Sequence, residues 1–247
     1  MEPQKHLSDF ISTKPILREE RLIFALDVED FTRARQLVEQ LGEQVRFYKV
    51  GLELFMLPGC FDFLRWLREE KGKKLFLDLK FFDVPRTVGA AVRQVRALGA
   101  TFTTVHGNDS ILEAAVAEAG STGILAVTAL TSLDKADMAS LGFHCDIGEL
   151  VLSRAKRAFE IGCSGVVSSG LEVTRLRENA NNQLVVVTPG IRPASQQGSD
   201  DQKRVVDVPT AFRNGSDYIV VGRPIRDAAN PAAKAAEIQQ QIAQLFS

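Results

Sequence analysis

KKLFLDLKFFDVPRTVGAAVRQVRALG, from Lys73 to Gly99, decides how the chain folds. Its opening run KKLFL reads as a buried strand. The strand closes on Asp78-Leu79-Lys80. Residues two apart on a strand point to the same side, so Asp78 and Lys80 face one way and Leu79 the other. Unpaired buried charge is costly, so the two must pair or serve a ligand. Asp83 follows at the strand exit. Pro85-Arg86-Thr87 then opens a helix, with proline suited to the first turn, and TVGAAVRQVRALG carries the helix to Gly99. Taken alone, Asp-x-Lys at a strand end is a structural ion pair. The rest of the chain changes that reading, because strand, polar exit and helix recur along it.

Seven further apolar runs match the unit: RLIFALD from Arg21, VRFYKVG from Val45, TFTTVHG from Thr101, GILAVTALTS from Gly123, SGVVSSG from Ser164, LVVVTPGIR from Leu184 and DYIVVGRPI from Asp217. Helical periodicity follows them, as in FTRARQLVEQLG, stopped by Gly42, and in PAAKAAEIQQQIAQLF at the end of the chain. Apolar runs without alternation belong to strands covered on both faces, as in parallel sheets. Eight strand-helix units in 247 residues predict an α/β fold, a single (β/α)8 TIM barrel over residues 21–247. Residues 1–20 read as a polar N-terminal extension. An open doubly wound sheet is the alternative.

Composition narrows the function. A formal net charge of -1 provides no field for nucleic acid or an anionic membrane. No apolar run is long enough to span a bilayer, and the first twenty residues lack the apolar core of a signal peptide. Cys60, Cys145 and Cys163 are odd in number and widely spaced, which suits neither a disulfide framework nor a metal site and points to a reducing cytoplasm. His6, His106 and His144 form no ligand cluster, so no metal is expected.

Barrel active sites lie at the C-terminal ends of the strands. Those ends carry Asp27, Lys49, Asp78 with Lys80, His106, Thr131 with Ser132, Arg192, and Gly222 with Arg223. The last two strands suggest a phosphate site, since Gly222 permits close backbone approach and Arg223 supplies a guanidinium fork. Each residue also has a plainer reading. Gly222-Arg223-Pro224 can be a turn with a surface arginine, His106 a structural hydrogen-bonding residue, Thr131-Ser132 a helix cap before Asp134, and Asp27 a cap for its own helix.

Together the motifs ALD at Ala25–Asp27, KVG at Lys49–Gly51, DLKFFDVPRT at Asp78–Thr87, VTALTS at Val127–Ser132, VTPGIRP at Val187–Pro193 and VGRPI at Val221–Ile225 resemble the orotidine 5'-phosphate decarboxylase family. The resemblance runs from about Arg21 to the C-terminus. It implies a (β/α)8 barrel, a homodimer with a shared active site, and no metal or organic cofactor. It also implies a small-molecule substrate, orotidine 5'-phosphate, converted to UMP and CO2. Lys80 would be the cation beside C6 and then its proton donor, with Asp78 and Lys49 in one charged network. Asp27 would bind a ribose hydroxyl. Asp83 and Thr87 would reach the partner's site, and Thr131 and Ser132 would read the pyrimidine edge and ribose. Arg192, Gln202, Gly222 and Arg223 would hold the phosphate. The loop PASQQGSDDQKR departs from the family's spacing and also offers Gln196 and Gln197. Two other readings stand beside this one. A metal-dependent sugar-phosphate decarboxylase or synthase of the same barrel would need further carboxylates for Mg2+, and Lys49 at the second strand exit argues against that. A nucleotide-binding barrel without catalysis is the third.

Overall fold

Eight parallel strands close into one barrel in sequence order. They are β1 (Leu22–Ala25), β2 (Phe47–Gly51), β3 (Lys74–Phe81), β4 (Phe102–Val105), β5 (Gly123–Val127), β6 (Gly165–Val167), β7 (Val185–Thr188) and β8 (Tyr218–Val221). The structure is a computed structural model and is described for residues 10–192 and 205–246. Closure rests on the β1–β8 pairing, with Ile23 opposite Val220, so the open-sheet alternative is excluded. The helices are α1 (Phe31–Leu41), α2 (Leu52–Phe55), α3 (Cys60–Arg65), α4 (Pro85–Ala97), α5 (Asp109–Ala119), α6 (Lys135–Ser140), α7 (Ile147–Ile161), α8 (Val173–Asn179), α9 (Val208–Arg213), α10 (Arg223–Arg226) and α11 (Pro231–Leu245). A wider turn over Trp66–Glu70 continues α3. No helix among the described residues is long and apolar enough to cross a membrane.

The helical periodicity is used as the sequence suggests. In α1 the buried residues are Ala34, Leu37, Val38 and Leu41, one stripe at helical spacing. Asp30 caps this helix by accepting the Arg33 N–H at 2.8 Å, which removes Asp27 from that duty. In α4, Val88, Val92 and Val95 face the barrel. Gly89 lets α5 approach: a Cβ there would lie 3.2 Å from the Ala114 carbonyl oxygen.

Two apolar layers result. Leu75, Leu77 and Leu79 of β3 point outward into the shell under the helices. Phe76 points inward, joining Phe47, Phe102 and Tyr218 in the barrel interior. Phe47 stacks on Phe102 at 5.6 Å, and Tyr218 meets Phe102 edge-on at 5.4 Å. Buried aromatic and aliphatic side chains of this size contribute about 1.5–3 kcal/mol each. The aromatic plug closes the barrel, and Asp78, two residues beyond Phe76 on β3, lies on its cavity side.

At the opposite end, the fully buried Asp217 accepts the Lys14 ammonium at 3.0 Å, the Arg177 guanidinium at 2.7 Å and the Val186 N–H at 2.8 Å. The Ser12 hydroxyl donates to it as well. Residues 12–14 are thereby held against the barrel floor.

Several expected strands end early, among them LVVVTPGIR, which is strand only to Thr188. GILAVTALTS is strand only to Val127, because β6 offers no partner beyond Val167. DYIVVGRPI is strand only to Val221, and Gly222 instead precedes α10.

Candidate active site

A cavity of about 520 Å³ opens at the C-terminal end of the barrel. Asp27, Lys49, Asp78, Lys80, Thr131, Arg192, Gly222 and Arg223 all line it, with Phe76 among the apolar lining. Register sets their heights: Lys49 pairs with Ala25 and Phe76, two residues before Asp27 and Asp78 on their strands, and its long side chain reaches both carboxylates.

The floor is a row of alternating charges. Lys49 Nζ donates to Asp27 Oδ1 at 3.0 Å and stands 3.6 Å from Asp78 Oδ2. Lys80 Nζ donates to Asp78 Oδ1 at 2.9 Å. Burial alone would lower the Lys49 pKa, but Asp78 and Asp27 outweigh it and the net direction is upward. Burial alone would raise the Asp78 pKa, but Lys49 and Lys80 outweigh it and hold the carboxyl below its ordinary range. Both groups are therefore charged at neutral pH. Lys80 ends the row with its side chain 36% exposed, against 12% for Lys49.

Asp78 and Lys80 face the cavity together, but not as part of a regular ladder. The β3–β4 register shifts between Leu77 and Phe81. Leu77 pairs with Thr103 and Phe81 with Val105, so Asp78, Leu79 and Lys80 lie opposite Thr104 alone. Lys80 has φ +47°, the one non-glycine residue in the left-handed region among those described. That conformation is disfavoured for a side chain with a Cβ and persists where its surroundings over-determine it. Thr104 is fully buried, and its hydroxyl accepts the Lys80 N–H and donates to Asp78 Oδ1, both at 2.9 Å.

At the other side of the cavity, Arg192 is buried and Arg223 is the first residue of α10. Gly222 leaves room at the wall, since a Cβ would lie 3.3 Å from that of Ala25 and 3.8 Å from Asp27 Oδ2. Gln202, Gln196 and Gln197 lie outside the described residues.

Asp83, Thr87 and Ser132 are exposed and do not line this cavity. Asp83 Oδ1 accepts the Val84 N–H at 2.6 Å. Phe82 and Val84 flank it at 70% and 62% exposure. Thr131 and Ser132 are not the helix cap: Asp134 caps α6, accepting from Ala136 and Asp137, while Asp137 accepts the Asp134 N–H. His106 packs against Phe82 at 5.3 Å, and burial, then Arg154 and Lys80, push its pKa down, so it is neutral.

The sequence reading missed Thr104 and Arg226. Arg226 lines the cavity and donates to the Asp27 carbonyl at 2.7 Å. The signal for Thr104 was a polar residue in TFTTVHG, on the strand neighbouring the motif. Chemically, the floor can stabilise negative charge forming above Lys80 and deliver a proton there. The arginines can hold a phosphate by paired N–H donors. The space between Asp27 and Asp78, where a divalent cation would compete, is filled by the Lys49 ammonium. Among the described residues no three His, Cys, Asp or Glu side chains cluster as metal ligands.

The chain is similar to known proteins in sequence and fold. The model of the Orotidine 5'-phosphate decarboxylase / HUMPS family matches residues 20–238. The orotidine 5'-phosphate decarboxylase of Methylococcus capsulatus is 59% identical over 241 residues, covering 98% of this chain and 99% of that protein. That of Nitrobacter winogradskyi is 49% identical over 229 residues, 92% of this chain and 94% of that one. The crystal structure of orotidine 5'-phosphate decarboxylase from Lactobacillus acidophilus superposes with a TM-score of 0.79 at 36% identity, covering 90% of this chain and 99% of that chain.

Proposed function

The chain belongs to the orotidine 5'-phosphate decarboxylase / HUMPS family, and from that premise we propose that it converts orotidine 5'-phosphate to UMP and CO2 by charge stabilisation alone. The observation that carries the reading is the row Asp27–Lys49–Asp78–Lys80, which ends on the Lys80 ammonium in a cavity that Arg192 and Arg223 also line.

In the reaction the bond between C6 and the carboxylate breaks. CO2 leaves and the electron pair stays on C6. Lys80 stabilises that pair as a fixed cation and then transfers an Nζ proton to C6, which leaves a neutral amine that solvent reprotonates. The groups are preorganised, so no solvent shell has to rearrange as charge develops. Asp78 keeps Lys80 aimed. Lys49 keeps Asp78 ionised and is itself held by Asp27, which binds a ribose hydroxyl. Thr131 and Ser132 read the pyrimidine and ribose. Arg192, Gly222, Arg223 and Gln202 take the phosphate, whose binding energy is available to assemble the site.

The active unit is a homodimer. Asp83 and Thr87 serve the partner's cavity, which accounts for an acidic residue exposed between two exposed apolar side chains and outside the lining of its own cavity. The protein works in the cytoplasm, where its cysteines stay reduced.

The test is turnover. Purified protein mixed with orotidine 5'-phosphate should remove the orotidylate absorbance and form UMP at a rate unchanged by a chelator. Chelator-sensitive activity would favour the metal-dependent sugar-phosphate reading, and no turnover would refute the proposal.

A further inference from the structure

We propose that Thr104 is a positioning residue for this reaction: its hydroxyl holds the Lys80 backbone and the Asp78 carboxylate together, and so aims the reacting ammonium. The assignment rests on the reading of Lys80 given above.

The ladder between β3 and β4 is interrupted at the motif. Three residues of β3, Asp78 to Lys80, face Thr104 alone on β4. A bulge of this kind takes backbone groups out of the strand pairing. The Lys80 N–H finds its acceptor in a side chain, Thr104 Oγ1 at 2.9 Å. That oxygen has one proton to donate, and it goes to Asp78 Oδ1, also at 2.9 Å. A hydroxyl has one donor and two acceptor sites, so both bonds form at once and each fixes the direction of the other. Asp78 Oδ1 is the same atom that accepts Lys80 Nζ. The result is a closed loop of three bonds: backbone of Lys80 to Thr104, Thr104 to Asp78, and Asp78 back to the ammonium of Lys80. Lys80 is held at φ +47° inside that loop.

Thr103 supplies an internal comparison. Its hydroxyl donates to the Leu77 carbonyl at 2.9 Å, at the near edge of the same bulge, and it too is fully buried. It touches neither Asp78 nor Lys80 through that bond. Both threonines are fully buried and both bond β3 through the hydroxyl, but only the bonds of Thr104 join it to the charged row.

Valine has the shape of threonine without the hydroxyl, and serine keeps the hydroxyl. Steady-state kinetics on orotidine 5'-phosphate and UMP affinity are measured for wild type, Thr104→Val, Thr104→Ser and Thr103→Val. Displacing a reacting group by about an ångström costs up to roughly a hundredfold in rate. Thr104→Val should therefore lower kcat by about ten- to a hundredfold while UMP affinity changes by less than about twofold, the split expected when only the transition state is affected. Thr104→Ser should recover most of the loss, and Thr103→Val should keep the wild-type kcat. Wild-type kcat in Thr104→Val, an equal loss in Thr104→Ser, or an equal loss in Thr103→Val would overturn the assignment. If Thr104→Val does not fold, Thr104→Ala is read in its place, and failure of both to fold would assign the residue to structure alone. A wild-type protein inert toward orotidine 5'-phosphate would overturn the functional reading and this assignment with it, whereas an active wild type with an unaffected valine variant would overturn only the assignment.

Discussion

Asp78 links the two ammoniums of the charged row, and Asp78→Asn isolates that coupling. The amide keeps the shape and the ability to accept from Thr104 but removes the carboxylate between two ammoniums. At an effective dielectric of about 20, opposite charges 3.6 Å apart, as Lys49 and Asp78 are, attract by roughly 4–5 kcal/mol. Lys49 keeps Asp27 at 3.0 Å, which limits the loss. The Lys80 pair is shorter, at 2.9 Å, but its ammonium is over a third exposed, so solvent screens it and it adds little. The expected destabilisation is about 3–5 kcal/mol, in the range seen when one partner of a buried pair is removed. For a chain of this size that lowers Tm by roughly 6–20 °C. Its pH dependence has a definite sign. The folded-state pKa of Asp78 lies below its unfolded value, so its stabilisation is present above about pH 4 and is lost as pH falls through the folded pKa. Thermal unfolding of both proteins across pH should therefore show a constant gap at neutral pH that closes in acid. Equal Tm at pH 7, or a gap that grows below pH 4, would refute the reasoning.

Arg223→Ala should reduce kcat/KM on orotidine 5'-phosphate far more than on orotidine, and equal losses on both would remove Arg223 from the phosphate site. Mixed dimers of Lys80→Ala and Asp83→Ala should regain up to roughly a quarter of wild-type activity, since one site in each mixed dimer is intact. Tagged co-purification verifies that subunits exchange, and mixed dimers without activity would return Asp83 to its own subunit. Asp217→Asn leaves Lys14 and Arg177 without their buried counter-charge and should cost about 3–5 kcal/mol in thermal unfolding. It should leave kcat per folded molecule unchanged, because the aromatic plug separates it from the cavity.

The barrel was legible because its signals are local. Each strand is a short apolar run, and Gly42 and Gly99 stop helices with positive φ, as their positions in the sequence suggest. The charged row was legible in part, since Asp78 and Lys80 sit two apart. The sequence argument took regular alternation as the reason they share a face. The structure adds a bulge and a left-handed Lys80, which no strand propensity signals. The four-residue helices α2 and α10 are too short for periodicity to register. The anchoring of residues 12–14 on Asp217 joins groups 203 and 205 positions apart, and nothing local marks it. Thr104 was missed for the same reason: its role exists only once β4 lies beside β3.

The claim that Lys80 is both the cation beside C6 and the proton donor is tested most directly by kcat of Lys80→Ala on orotidine 5'-phosphate, with folding verified by thermal unfolding. Loss of one such group typically costs about a hundred- to a thousandfold. The account predicts that at most about a hundredth of wild-type kcat survives, because stabilisation and proton source disappear together. A folded variant that retains more than that would contradict it.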